Sequence, residues 1–162
     1  MRELLYRSLP HFADFDPSDL AILRASLRNN ARAGITGYLI RASGQFLQAL
    51  HGPAAAIEAL MARLGTDPRH RGIEVLIDRA APAISPFGDW SMGYDHFLPL
   101  ETGLDFLPDG ARPALTEGQI EHAWERLVAA ARSQGEFGSV FPYARMPGEA
   151  AEPYLARIEA AL

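Results

Sequence analysis

Residues 28–52 read RNNARAGITGYLIRASGQFLQALHG. The pattern predicts the end of a helix, a strand, a turn at Ser43-Gly44 and a second strand, because turn residues separate segments of different periodicity. Alternation along the second strand places Gln48 between Phe46 and Leu50 on one face. A glutamine between two large apolar neighbours costs the fold about 1–3 kcal/mol unless its amide finds partners. We therefore expect Gln48 to make specific polar contacts.

Two further amides lie close to this strand pair in the sequence. Asn29 and Asn30 fall at the predicted end of the preceding helix. Amide groups both donate and accept hydrogen bonds. Two asparagines and a glutamine that converge near a sheet are typical of a site for a flat molecule with alternating donors and acceptors.

Composition excludes several classes of protein. The chain of 162 residues is 48% hydrophobic and 22% charged, which predicts one globular domain with a possible appendage. Its net charge of −5 argues against nucleic acid as the main partner. The sequence has no cysteine, so it forms no disulfide or thiolate site. Without an apolar run of about 20 residues or a signal-peptide pattern, we expect a cytoplasmic protein that does not enter the membrane.

The order of predicted elements indicates the fold class. Around the central strand pair we predict a strand over 4–9, a helix that starts at Asp16-Pro17, a helix from Pro53 to Gly65, a strand over 73–78 and a last strand over about 89–94. This β-α-β-β-α-β-β order predicts an α+β protein. Its first six elements match the ferredoxin-like arrangement, with two helices on one face of an antiparallel sheet.

The opposite face of that sheet needs a cover. It carries Leu5, Leu9, Leu47 and Ala49, which are too apolar to remain in water. The last part of the chain offers two amphipathic helices, one from Thr116 and one over about 149–162. We expect these helices to cap the free face or to form an interface. The predicted domains are residues 1–97, which form the core domain, and 98–162, a helical extension without a separate effector domain.

Tyr6 and Gln48 form the strongest candidate pair. In a ferredoxin-like sheet the first and third strands are central, so residues on the same face of these strands can be cross-strand neighbours. A lone strand tyrosine is usually a core residue whose hydroxyl bonds to the backbone. The combination with Gln48 and nearby Asn30 favours a polar site instead.

Other candidates are weaker from spacing alone. Arg69 and His70 follow the second helix and suit an anion, although a solvated turn explains them equally well. Trp90 and Met92 share a face of the predicted last strand, a spacing that is more typical of a core. The sequence shows no histidine pair at metal-ligand spacing, so we expect no metal. It also shows no phosphate loop and no nucleophile elbow.

Several motifs together resemble one family. Over residues 3–95 the chain resembles the BLUF family of blue-light sensors that bind FAD. The motifs that carry the resemblance are Leu5-Tyr6-x-Ser8, Asn29-Asn30 with Gly34-Ile35-Thr36-Gly37, Phe46-x-Gln48-x-Leu50-x-Gly52, Asp67-x-Arg69-His70, and Trp90-Ser91-Met92-Gly93. Five motifs in family order make the match specific. His51 is a departure, because the family usually has glutamate there.

The resemblance implies roles for these residues. FAD, with FMN or riboflavin as alternatives, would lie between the two helices with its ring facing the sheet. Tyr6 would donate an electron and a proton in the light, and Gln48 would be the switching amide. Asn30 would bind the polar edge of the flavin. The resemblance assigns Asn29, Arg69 and His70 to the ring edge or ribityl side, and Trp90 and Met92 to the strand that signals to the C-terminal helices.

The resemblance thus implies a photoreceptor and signalling protein, not an enzyme. It would act on an unidentified downstream signalling protein, and we expect a homo-oligomer. Two alternatives remain on the same fold. One is a hydrolase of the acylphosphatase type, and the other is a ligand-binding regulatory domain without photochemistry.

Overall fold

The computed structural model describes residues 1–13, 16–42, 44–89, 92–97, 114–133, 145–146 and 148–161, and for residues 42 and 94–97 it describes the backbone alone. The described part contains five strands and four helices. In chain order these are β1 (Arg2–Pro10), α1 (Pro17–Ala33), β2 (Thr36–Ala42), β3 (Gln45–Gly52), α2 (Ala54–Leu64), β4 (His70–Ala80), β5 (Gly93–Phe97), α3 (Glu117–Ser133) and α4 (Ala151–Ala160).

The described strands form one sheet in the order β4-β1-β3-β2-β5. The first four strands in this order pair antiparallel, and β5 runs parallel to β2 at the edge. The ferredoxin-like prediction is confirmed, since β1 and β3 lie side by side and α1 and α2 follow β1 and β3 respectively.

Both ends of α1 follow from local sequence. The Asp16 carboxylate accepts a hydrogen bond from the backbone N–H of Ser18 at 2.8 Å, and Pro17 occupies the first turn. The helix ends at Gly34, whose φ of 66° is the left-handed conformation that glycine adopts without steric cost. This stop places Asn29 and Asn30 in the last turn, directly before β2.

Two hydrophobic cores lie on opposite faces of the sheet. Leu4 and Leu50 pack with α1 and α2 on one face, while Leu5 and Ala49 pack with α3 on the other. This division follows from the alternation of side chains along β1 and β3, in which successive residues point to opposite faces of the sheet. The prediction that a C-terminal helix covers the second face is confirmed for α3, whose Leu127 is fully buried there.

Helix α4 takes a different place from α3. Its Tyr154 and Ile158 belong to the core on the α1 side, and Arg28 of α1 forms an ion pair with Glu159. Because α3 already covers the apolar face beneath β1 and β3, the apolar side of α4 finds its partners on α1 instead. Of the two C-terminal helices, therefore, α3 caps the sheet and α4 packs on the helical layer.

Two strand boundaries differ from the prediction. β4 begins at His70 because it pairs along the length of β1, from Pro10↔His70 to Arg2↔Ala80. In an edge strand, polar residues can keep their backbone hydrogen bonds to the neighbouring strand while their side chains face water. The alternation of apolar residues therefore predicts a strand that is shorter than the observed one. β5 begins only at Gly93, opposite Tyr38, so Met92 precedes the strand instead of lying on it.

A buried ion pair joins β2 to the first turn of α1. Arg41 donates from Nη1 to Asp19 Oδ1 at 3.0 Å, and both side chains are 1% exposed. The guanidinium also donates to the Phe12 carbonyl at 2.7 Å and lies 4.9 Å from the Phe46 ring centroid. Sequence reasoning missed this pair, because the periodicity of neither element shows that the two charges meet.

Candidate functional site

A cavity of about 240 Å³ lies between α1, α2 and the sheet. Its walls combine apolar side chains with amide, hydroxyl and charged groups. The lining residues are Tyr6, Ile22, Ala25, Ser26, Asn29, Asn30, Leu39, Phe46, Gln48, Leu60, Arg63, Leu64, Asp67, Arg69 and His70. A mostly apolar cleft with a few convergent polar groups is the usual form of a small-molecule site.

Tyr6 and Gln48 are direct cross-strand partners at the floor of this cavity. They occupy paired positions on β1 and β3, and the Tyr6 hydroxyl donates a hydrogen bond to Gln48 Oε1. Burial raises the pKa of Tyr6, and the negative charge of Asp67 adds to the effect. A tyrosine hydroxyl keeps its proton at neutral pH, and this rise makes deprotonation of Tyr6 still harder, so it remains a donor. The expected proximity of this pair is confirmed.

Met92 supplies the second partner of the Gln48 amide. Gln48 Nε2 donates to Met92 Sδ at 3.2 Å, and Met92 is completely buried. A thioether is a weak acceptor, so this contact is weaker than the hydroxyl contact on the amide oxygen. The amide thus has one strong and one weak partner. Trp90, the other residue predicted for this region, lies outside the described residues.

The two asparagines reach the cavity from the last turn of α1. Asn30 is 2% exposed, while Asn29 lies at the surface. The Asn30 carbonyl accepts from the N–H of Ile35 at 2.9 Å, which fixes the chain reversal into β2. Both asparagines line the cavity, with Asn30 at its buried part and Asn29 at its exposed part, and their predicted contacts with a flavin stay a prediction.

His70 is anchored on β4 with one ring nitrogen free. Its Nδ1 lies 2.8 Å from Ser8 Oγ, whereas Nε2 is buried and has no hydrogen-bond partner in the part of the chain that is described. Burial lowers the pKa of His70, so the ring favours the neutral form. The alternative of a solvated turn is wrong for His70, because it is a strand residue that lines the cavity.

Arg69 is largely neutralised by its neighbour. Its backbone N–H and its guanidinium both bond to Asp67, with Nε 2.9 Å from Oδ1. The same contact holds the pKa of Asp67 below its usual range. Arg63 in the last turn of α2 also lines the cavity, and it forms no ion pair with any described residue. The sequence analysis did not predict Arg63 as a site residue. Its neighbour Leu64 belongs to the apolar face of α2 and lines the cavity too, and this position could have indicated Arg63.

The described residues show neither a cluster that could bind a metal ion nor a helix that could span a membrane. No group of three histidine, cysteine or acidic residues there could hold a metal ion. Within the same ranges, none of the helices has the length and apolar character needed to cross a lipid bilayer.

Comparison with known proteins identifies the family. The model of the family described as BLUF, sensors of blue-light using FAD, matches residues 1–93. Because this match covers more than half of the sequence, the chain belongs to the BLUF family.

Solved structures agree with this assignment. The dark-state structure of the BLUF protein BlrB is 32% identical, with a TM-score of 0.62, and the alignment covers 80% of this chain and 96% of BlrB. The ground-state structure of BlsA is 25% identical with a TM-score of 0.66, covering 86% and 94% of the two chains. BlrP1 of Klebsiella pneumoniae, solved with FMN and cyclic diGMP, is 31% identical with a TM-score of 0.53, covering 83% of this chain and 35% of BlrP1.

Curated relatives are much longer proteins. The beta subunit of photoactivated adenylate cyclase from Euglena gracilis is 43% identical over 53 residues, which are 33% of this chain and 6% of that protein. The corresponding subunit from Euglena longa is 38% identical over 68 residues, or 39% of this chain and 8% of the relative. The matched stretch is thus a small fraction of each cyclase subunit.

Proposed function

We propose that this chain is a blue-light photoreceptor that binds FAD in the cavity between α1 and α2. Residues 1–97 form the light-sensing domain, and residues 98–162 form the helical output region. The observation that carries the proposal is the hydrogen bond from Tyr6 to Gln48 at the cavity floor. A redox-active phenol and a rotatable amide at one small-molecule site are the two parts that such a switch requires.

The residues of the cavity fit a flavin. An isoalloxazine ring is flat and apolar over most of its surface, with donors and acceptors along one edge. Leu39 and Phe46 supply apolar surface, and the amides of Asn30 and Gln48 offer both donors and acceptors. Nε2 of His70, which has no hydrogen-bond partner among the described residues, adds one more polar atom in a buried position. We assign the ribityl and phosphate side to Asn29, Arg63 and Arg69.

Tyr6 carries the redox step in this proposal. When bound and excited by blue light, the flavin supplies a strong oxidant. Tyr6 gives up one electron from its ring and its hydroxyl proton, which leaves through the existing hydrogen bond to Gln48 Oε1. Both return to Tyr6, so no net oxidation takes place. The phenol is protonated beforehand, as any tyrosine is at neutral pH, and burial raises its pKa still further.

Gln48 stores the signal while the electron and proton return. Its amide can settle rotated or tautomerised, so that Tyr6 and the flavin meet a different donor and acceptor. The weak contact with Met92 Sδ is lost in that arrangement, and the change is passed to the residues directly before β5. β5 in turn pairs with β2, the neighbour of the β3 strand that bears Gln48.

The output is signalling rather than chemistry on a substrate. Related solved proteins include a bacterial light-regulated adenylyl cyclase and BlrP1, which was solved with cyclic diGMP, so proteins similar to this chain take part in nucleotide signalling. We infer that this chain passes its signal to a downstream signalling protein, or through its own oligomer, by way of α3 and α4. Catalysis is not part of the proposed role.

The deciding experiment is the visible absorption spectrum of the purified protein in darkness and after blue light. We expect a flavin spectrum that shifts to the red and recovers in the dark. Bound flavin without a shift would contradict the switch but keep the binding site. A colourless protein that does not take up FAD, FMN or riboflavin would overturn the photoreceptor proposal and return the hydrolase alternative to consideration.

A further inference from the structure

A β-bulge in β4 determines which side chain faces the cavity near the end of β1. The register of the two strands shifts by one residue just before Leu9, and β4 contributes the extra residue. Gly72, with a left-handed φ of 62°, lies at this step. The shift pairs Pro10 with His70, whereas the unshifted register would pair it with Arg71. The bulge therefore places His70 on the cavity face and leaves Arg71 exposed.

One side of the His70 ring is held by Ser8 of β1. Ser8 is 1% exposed, and its Oγ lies 2.8 Å from His70 Nδ1. Phe46, which pairs with Ser8 on β3, packs edge-on against the ring with the centroids 6.2 Å apart. These two contacts fix the orientation of the ring. Because the two nitrogens lie on nearly opposite sides of an imidazole, Nε2 points away from Ser8.

The hydrogen bonds around the ring favour one tautomer. Burial lowers the pKa of His70, so the ring is neutral at about pH 8 and carries one N–H. If Nδ1 carried this hydrogen, it would donate to Ser8 Oγ, and the Ser8 hydroxyl would have no acceptor among the described residues. Two buried groups, the Ser8 hydroxyl and Nε2, would then be unsatisfied. If Ser8 donates to Nδ1 instead, only the N–H at Nε2 lacks a partner, which costs less free energy.

Neighbouring groups also favour a hydrogen on Nε2. Against the larger effect of burial, the carboxylate of Asp67 and the backbone carbonyl of Leu64 raise the pKa of His70, while Arg69 and His11 lower it. A carboxylate and a carbonyl only accept hydrogen bonds, so they stabilise an N–H rather than a lone pair. Since Nδ1 already contacts the Ser8 hydroxyl, this effect bears on Nε2. No described residue accepts a hydrogen bond from Nε2, so the donor remains available at the cavity wall.

We propose that Ser8 is a positioning residue that holds His70 in the Nε2–H tautomer, so that the ring donates a hydrogen bond to an acceptor atom of the molecule bound in the cavity. A carbonyl, a ring nitrogen or a hydroxyl oxygen can accept this bond, whereas an N–H group cannot. Ser8 is not among the residues that line the cavity, so it acts through His70. The tautomer is a property of the protein alone, and only the assignment of the acceptor to a flavin rests on the proposed function.

¹⁵N NMR of the full chain, labelled at its histidine rings, measures the tautomer directly. Spectra are recorded in darkness at about pH 8, for the protein as purified and after saturation with FAD. His70→Gln identifies the resonances of His70. We expect wild type to show a hydrogen on Nε2 and an Nδ1 that accepts a hydrogen bond.

Ser8 variants then test the donor. In Ser8→Ala the Nδ1 resonance should move toward that of a free acceptor, and Ser8→Thr, which keeps a hydroxyl, should reverse this change. Ser85→Ala is the matched control, because it removes a partly buried hydroxyl that contacts Thr36 instead of His70. Far-UV circular dichroism checks that each variant folds.

A double-variant cycle tests whether Ser8 acts through His70. Ser8→Ala is expected to weaken FAD binding by roughly threefold to tenfold, which corresponds to one hydrogen bond. In the His70→Gln background the same substitution should have little further effect, because the residue through which Ser8 acts is gone. Fluorescence titration with FAD measures the four affinities of the cycle.

The outcomes separate this inference from the proposed function. A hydrogen on Nδ1 in wild type would overturn the inference, and so would an Nδ1 resonance that Ser8→Ala leaves unchanged. Equal losses of FAD affinity from Ser8→Ala in both backgrounds would show that Ser8 does not act through His70. A protein that takes up no flavin would overturn the photoreceptor proposal, while the NMR spectra would still decide the tautomer and its dependence on Ser8.

Discussion

The amide nitrogen of Gln48 donates a hydrogen bond to the sulfur of Met92 at 3.2 Å. The two residues are 44 positions apart, and Met92 stands directly before β5. The contact joins the cavity floor to the edge of the sheet. It therefore supplies a physical route by which a change in the Gln48 amide can pass from the cavity to the residue directly before β5.

Replacing Met92 by Leu tests this route. The substitution nearly conserves volume and removes the sulfur acceptor. We expect flavin binding and the red shift to persist, while dark recovery slows, because the dark arrangement of Gln48 loses one stabilising contact. The measurement is the recovery of absorbance after a blue pulse. Leu60→Met, elsewhere on the cavity wall, is a control. Unchanged recovery in Met92→Leu would contradict the role assigned to this contact.

Tyr6→Phe tests the donor assignment. The ring still fills its buried position, but the hydroxyl that bonds to Gln48 is gone. Flavin binding is expected to remain and the light-induced shift to disappear, at a stability cost of about 1–3 kcal/mol for the unsatisfied amide oxygen. Difference spectra and urea unfolding measure the two effects. Tyr38→Phe on β2 is the matched control, since Tyr38 is equally buried in the core on the other face of the sheet. A persisting shift in Tyr6→Phe would show that Tyr6 is not the donor.

The two arginines at the cavity are expected to differ in their effect on flavin affinity. Arg69 is bound to Asp67, whereas Arg63 has no ion pair within the described residues. Arg63→Gln should therefore weaken FAD binding more than Arg69→Gln does. It should also reduce the salt dependence of the FAD affinity more than Arg69→Gln does. Titration of the apoprotein with FAD and riboflavin at two salt concentrations measures this. Riboflavin lacks phosphate, so its affinity should change little. Equal losses for both flavins would contradict phosphate binding by Arg63.

Protonation of His70 is expected to lower stability in acid. Burial lowers the pKa of His70 from its usual 6.5, and the charged groups that bear on it are Asp67, Arg69 and His11. Since the unfolded chain then binds the proton more readily, the contribution of His70 is fully present above about pH 6.5 and is lost as the pH falls toward the folded value.

Urea unfolding at several pH values tests this contribution. In His70→Gln the free energy of unfolding should depend less on pH between about 6.5 and 5. His122→Gln is the control, because His122 is exposed on α3. A pH dependence that is the same in wild type and His70→Gln would place the titrating group elsewhere.

The buried ion pair of Asp19 and Arg41 should matter strongly to stability. Arg41→Met leaves the Asp19 carboxylate buried without its counter-charge, so we expect a loss of about 3–5 kcal/mol. The double variant with Asp19→Asn should recover part of this loss, because the uncompensated charge is gone. Arg24→Met on the exposed side of α1 is the control. Unfolding midpoints that are equal for Arg41→Met and Arg24→Met would contradict the inference.

Sequence alone determined the order of the elements and the central pair of the site. Helix caps and stops are local, so Asp16 and Gly34 bound α1 as predicted. Strand alternation is local too, and it placed Tyr6 and Gln48 on the same face. The ferredoxin-like order of strands then made them neighbours, as the register of β1 and β3 confirms.

Tertiary structure decided which distant faces meet. Three contacts join segments that are distant in the sequence, and the pattern of one segment does not predict which other segment it meets. They are the Gln48–Met92 contact, the Asp19–Arg41 pair and the packing of α4 on α1. The apolar side of α4 predicted that the helix would be buried, but not against which surface. The periodicity of a segment predicts which of its side chains are buried and which face water. The surface against which those side chains are buried depends on the free energy of the whole packed arrangement.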